Sequence, residues 1–185
     1  MSHSPGSPPL THRIAGPDDV PALRAVMTRA IEQLQHGFLT PAQIAASHQV
    51  MGLDGQLIRD GTYFVVECGG RVAGCGGWSF RATLFGGDDS IVAREPARLD
   101  PASDAARVRA MYTDPDFVRR GVGSLILGLC EAAARAAGFA RVELMGTAAG
   151  IPLYEKQGYR ASAPLELVAI DGVEVPLLRM EKPLG

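Results

Sequence analysis

The sequence predicts a single layered α/β domain, and three observations carry that prediction. First, 185 residues with 46% apolar and 21% charged residues match an ordinary soluble domain, long enough to bury one sizeable core. Second, helix-type and strand-type apolar patterns alternate in the order β-α-α-β-β-β-α-β-α-β-β. Third, a glycine-punctuated basic loop leads directly into a helix at residues 119–124. Low charge and ample hydrophobicity exclude disorder for the bulk of the chain. The most apolar stretch, Val122 to Cys130, is short and interrupted by Gly123, Ser124 and Gly128, whereas a membrane span needs about 20 apolar residues.

The elements follow in order. Residues 1–10, rich in Ser, Pro and Gly, read as a disordered tail without the features of a signal peptide, and residues 11–185 as the domain. Thr11 to Ala15 is a short strand. A helix opens at Gly16-Pro17-Asp18-Asp19 with Asp18 as N-cap. Leu23, Val26, Met27, Ala30, Ile31 and Leu34 form its apolar stripe, and Gly37 ends it. Thr40-Pro41 caps a shorter helix. Thr62 to Glu67 is β-branched and aromatic, Gly69-Gly70 is a turn, and Arg71 to Phe80 returns as the partner strand. Gly74, Gly76 and Gly77 on that strand suggest a bulge or a close neighbour. Residues 81–104 are an irregular loop, followed by a strand at Arg107 to Thr113. The helix after the glycine loop places Leu125, Leu129, Ala132, Ala133 and Ala136 on one face and stops at Gly138. Arg141 to Met145 is a strand, Ala148 to Lys156 a short helix, and residues 165–180 a hairpin around Asp171-Gly172.

The net charge of −2 and pI near 6.1 point to neither a nucleic acid nor a membrane surface as partner. Three cysteines (Cys68, Cys75, Cys130) form no CxxC pair, and the four histidines lack metal-ligand spacing, so no metal site is expected. The cysteines read as small core residues of a cytoplasmic protein.

The loop Arg119-Arg120-Gly121-Val122-Gly123-Ser124 has the makings of an anion site. The first N–H groups of a helix have no intrahelical partner, and the helix dipole adds positive potential there. Two glycines remove side chains that would block a phosphate, and two arginines add donors. The dinucleotide fingerprint fails because Ile126 stands at its third glycine, and no G-x-x-x-x-G-K-[ST] loop is present.

Asp-Pro-Asp-Phe-Val-Arg-Arg-Gly-Val-Gly-Ser at 114–124, its alanine-rich helix, and Ile151-Pro152-Leu153-Tyr154-Glu155-Lys156-Gln157-Gly158-Tyr159 together resemble the acetyl-CoA signature of the GNAT N-acetyltransferase superfamily. The motif there runs Q/R-x-x-G-x-G/A, with a Tyr-bearing helix downstream. Two departures stand out: Val118 occupies the Q/R position, and Ala149 replaces an Asn often found before the Tyr helix.

The resemblance implies a GNAT-type fold, a mixed and mostly antiparallel sheet of about seven strands flanked by helices. It implies acetyl-CoA as cosubstrate, held at its pyrophosphate by the amides of Arg119, Arg120, Gly121, Val122, Gly123 and Ser124. The pantetheine arm would pair with Met111, Tyr112 and Thr113, where two strands splay apart. Tyr154 would protonate the departing thiolate. For the base that deprotonates the amine, Glu32 and His36 share one helix face at i, i+4; Asp114 and a water chain are the alternatives. Asp88 and Asp89 are candidates to attract a cationic amine, and Trp78 to floor the pocket. The expected reaction is acetyl transfer to a primary amine of a small molecule or peptide. A catalytically silent acetyl-CoA sensor and transfer of a longer acyl group are the competing readings. A homodimer through the terminal hairpin is a further expectation.

Overall fold

The structure is a computed structural model that describes residues 8–185. Residues 1–7 of the expected tail lie outside the described residues, whereas Leu10 already opens the first strand. Strand β1 (Leu10–Ile14) leads into helix α1 (Val20–Leu34) through a short 3-10 turn. Asp19, not Asp18, organises that entry. Its carboxylate accepts the Gly16 N–H at 2.7 Å and binds both Nη atoms of Arg13 at 2.7 Å. Helix α2 (Pro41–Ser47) starts as predicted, with the Thr40 hydroxyl accepting from the Gln43 N–H. A five-residue helix α3 (Gly55–Arg59), capped by Asp54, was not foreseen.

The sheet has eight strands among the described residues, one more than expected. Strands β2 (Tyr63–Cys68), β3 (Arg71–Ser79) and β4 (Ala106–Thr113) extend β1 as an antiparallel meander. Helix α4 (Val122–Ala136) crosses over to β5 (Arg141–Thr147), which runs parallel to β4. Helix α5 (Ile151–Lys156) and the two-residue strand β6 (Arg160–Ala161) precede the hairpin β7 (Glu166–Ile170) and β8 (Val173–Pro183). Strand β8 pairs antiparallel with β5, β6 and β7. The mixed, mostly antiparallel sheet flanked by helices is therefore present.

Both sheet faces are covered. Leu23, Val26, Ala30 and Ile31 of α1 pack with Leu57 of α3 against Tyr63, Val65, Cys75 and Tyr112. On the opposite face α4 buries Val122, Ile126, Leu127, Cys130 and Ala134. This differs from the predicted stripe, of which Ala132 and Ala136 are exposed. An apolar helix offers several stripes; the glycines of β3 select among them. A Cβ at Gly74 would stand 2.5 Å from Val122 Cγ1, and one at Gly76 would stand 2.7 Å from Ile126 Cγ2. Truncating a buried leucine such as Leu23 or Leu127 to Ala typically costs about 2–5 kcal/mol. The three cysteines are free and buried. Trp78 packs edge-on to Phe80 and Phe139, so it is a core residue rather than a pocket floor. No helix among the described residues is long and apolar enough to cross a membrane.

Candidate active site

Strands β4 and β5 pair only at Ala106↔Val142 and Arg107↔Glu143. Beyond those two pairs they diverge, as the sequence led us to expect, and two cavities open in the wedge. The larger, about 440 Å³, runs from Gly123 and Arg119 past Leu153 to Phe38. The smaller, about 80 Å³, lies between Met51, Phe85 and Leu177. They meet at Met51, Met111, Tyr112, Thr147 and Tyr154, which line both.

The β4 backbone is irregular at this junction. The register slips opposite Cys75/Gly77, and Ala110 adopts φ 49°. Such a conformation costs a non-glycine residue about 1–2 kcal/mol and needs support from its surroundings. Tyr63, fully buried, donates its hydroxyl to the Ala110 carbonyl at 2.7 Å. Tyr112 fixes the next residues by donating to Gly52 O at 3.0 Å and accepting from Gly52 N at 2.9 Å. The bulge is thus pinned from the face carrying α1 and α3.

The 119–124 loop opens α4, and its two glycines act differently. Gly121 is the N-cap of α4 at φ +84°, with open space around its Cα. Gly123 instead admits α5: a Cβ there would stand 2.6 Å from Leu153 Cδ2. The first helical bond, Leu125 N to Gly121 O at 2.9 Å, leaves the N–H groups of Gly121 to Ser124 without main-chain partners. The Ser124 hydroxyl accepts from Gln157 Nε2 at 3.1 Å and ties α4 to α5. Nearby acids are already engaged. Asp114 caps the turn and pairs with Arg29, and Asp116 pairs with Arg29 and Arg71. No carboxylate among the described residues pairs with Arg119 or Arg120; Arg120 lies over the Phe117 ring at 5.4 Å. The mouth of the larger cavity is a cluster of free N–H groups and unmatched cations, which suits a pyrophosphate.

Tyr154 stands at the junction of the cavities, its ring edge-on to Tyr159 and laid over Gly146 and Gly150. Burial, reinforced by Cys130, pushes its pKa up to about 12. The other proposed catalytic residues are placed elsewhere. Glu32 is exposed, with the His48 imidazole 3.9 Å away, and His36 is exposed past the end of α1. Neither lines either cavity. α1 ends at Leu34, so His36 lies beyond the helix and shares no helical face with Glu32. Ala30, Leu34 and Gln35 face the larger cavity, and a two-residue step turns a helix by about 200°. Asp88 accepts the Gly55 N–H at 2.8 Å and pairs with Arg94, while Asp89 pairs with Arg24. Both are committed to local structure.

Two lining residues escaped the sequence reading. Gln35 is 3% exposed and its Oε1 has no hydrogen-bond partner. The stripe through Ile31 extends to it at i+4, which was the available signal. Arg109 reaches the smaller cavity from β4, and no sequence pattern singled it out.

The chain matches the model of the acetyltransferase (GNAT) family over residues 25–159, most of its length, and it belongs to that family. It is an enzyme of the N-acetyltransferase type. Solved structures agree on the fold. A GCN5-related N-acetyltransferase from Rhodopseudomonas palustris superposes with TM-score 0.67 at 19% identity, covering 99% of both chains. An N-acetyltransferase from Staphylococcus aureus Mu50 gives 0.64 at 19% identity, over 96% of this chain and 99% of that one. A protein from Salmonella typhimurium, solved with its cofactor acetyl-CoA, gives 0.62 at 17% identity, over 95% of this chain and 94% of that one. No curated protein matches the sequence.

Proposed function

We propose that the enzyme moves an acetyl group from acetyl-CoA to a primary amine by direct attack, with the larger cavity holding the donor and the smaller one the acceptor. The observation that carries this reading is the meeting of the two cavities at Tyr154. The main-chain N–H groups from Arg119 to Ser124, with the two arginine side chains, bind the pyrophosphate. The unpaired edge of β4 at Met111, Tyr112 and Thr113 binds the pantetheine arm as an added strand would. Acetyl-CoA supplies an activated thioester carbonyl.

The amine nitrogen forms a bond to the carbonyl carbon, and the C–S bond breaks. A main-chain N–H of the bulge stabilises the carbonyl oxygen as it gains charge; one such donor is worth about 2.7–4 kcal/mol. Tyr154 donates a hydrogen bond to the leaving sulfur, and the proton that the nitrogen sheds as the amide forms goes to water. No Asp, Glu or His lines either cavity among the described residues, so the amine loses its proton to water.

Thiol release from acetyl-CoA over a panel of amines tests this reading, and release with none of them would overturn it. Tyr154→Phe should lower kcat by about 10–100-fold while leaving acetyl-CoA affinity within a factor of about two. An unchanged kcat would remove Tyr154 from the acid role.

A further inference from the structure

We propose that Arg109 reads a free carboxylate on the acceptor, and that the preferred acceptor is an amino acid with a small apolar side chain. This rests on the smaller cavity being the acceptor side.

The Arg109 side chain is 3% exposed and lines that cavity. Its Nη1 pairs with Asp54 Oδ2 at 2.5 Å and its Nη2 donates to the Gly86 carbonyl at 2.7 Å. Its Nε–H has no partner. The Nε–H is sealed from solvent, so a small turn of the guanidinium that pairs it with a ligand oxygen relieves a buried donor left unmade.

Local charge indicates which group fits. Asp54 is fully buried and sits between two guanidinium groups, since its Oδ1 also accepts from Arg94 at 2.9 Å and from the Gln56 N–H at 3.0 Å. The second acid of the cluster, Asp88, reaches Arg94 only, and its side chain is 36% exposed. Beside the cavity, one buried carboxylate therefore faces two cations. Burial pulls the Arg109 pKa down and Asp54 opposes that pull; an entering carboxylate would act in the same sense as Asp54.

The remaining walls are apolar, from Met51, Leu84, Phe85, Met145 and Leu177. At about 80 Å³ the cavity accommodates one small side chain. An α-amino acid presents all three parts: a carboxylate for Arg109, an aliphatic or thioether chain for the walls, and an amine for the junction at Tyr154. An internal residue of a peptide lacks the free carboxylate.

The test compares leucine with leucinamide and 3-methylbutylamine, and methionine with methioninamide, as acceptors. The amides are the less basic amines and carry more free base at neutral pH, so a preference for the acid has to come from recognition. Wild type should favour the acid over its amide by about 100-fold or more in kcat/KM. Arg109→Lys retains a cation for Asp54 but loses the fork and should erase most of that ratio. The wild-type comparison stands even if this variant folds poorly.

A second arm needs no turnover. Thermal unfolding of the CoA-loaded protein is followed with 4-methylpentanoate and with 4-methylpentanamide, neither of which has an amine to acetylate. The carboxylate should raise Tm and the amide should not. If amines are acetylated without preference for the acid and 4-methylpentanoate gives no shift, Arg109 has no such role, while acetyl transfer stands. If 4-methylpentanoate protects but no amine is acetylated, the transfer reading falls and the carboxylate site remains.

Discussion

Tyr154 keeps its proton across the working pH range because burial lifts its pKa to about 12. A phenol in that state can donate to a thiolate but cannot take a proton from an ammonium group. The amine's own ionisation should then govern the pH profile. Below the amine pKa, kcat/KM should rise about tenfold per pH unit, with no earlier plateau. An inflection near pH 6–7 that stays put when the amine is changed would reveal an enzyme base instead. At this scale the sequence was legible where a residue type marks an element: Gly121 opens α4 and Tyr154 stands on α5. It misled about where an element ends: the i, i+4 spacing of Glu32 and His36 presumes a helix through both, and α1 stops at Leu34. Gln35 and Arg109 line the cavities because of tertiary packing that no local pattern encodes.

Among the elements, the Thr40 cap, the α1 stripe and the Asp171-Gly172 hairpin were read correctly, whereas the Asp18 cap and the α4 stripe were not. Helix α3 was hidden because five residues between Asp54 and Asp60 are too few to show a period. Its end is held from outside. Asp60 binds Arg81 through both carboxylate oxygens at 2.7 and 2.8 Å, joining α3 to the start of the long loop. Arg81, with Gln56 helping, holds the Asp60 carboxyl below the usual carboxylate range. A depressed native pKa adds stability above the unfolded value of about 3.9, and that stability is lost as pH falls through the native value. Acid unfolding followed by circular dichroism should show this loss below about pH 4. Asp60→Asn should lower stability at pH 7 and flatten the acid limb; a variant with an unchanged limb would show that the pair contributes nothing.

For the molecule as a whole, charge is distributed so that the sum misleads. The chain carries −2 overall, yet the mouth of the larger cavity has cations without acids, because Arg29 and Arg71 engage Asp114 and Asp116. Donor binding should follow the local sign. Raising salt from about 0.05 to 0.5 M shortens the screening length to a few ångströms and should raise KM for acetyl-CoA several-fold. A KM indifferent to salt would argue against an electrostatic mouth. The layered architecture was legible from the order of periodicities, and the eighth strand was not, since the two residues of β6 pair only because β8 lies beside them.

The single parallel contact in the sheet has a consequence for how the molecule breathes. Strands β1 to β4 form a meander, whereas β5, β6 and β7 all pair with β8. The halves are stitched by two rungs and by the crossover α4. Two rungs hold less than the five to seven that join β1–β2, β2–β3, β3–β4, β5–β8 and β7–β8, so this seam should yield first under thermal agitation. The reaction chamber thus lies along the protein's softest line, where a long, bulky carrier can thread in without either half having to unravel.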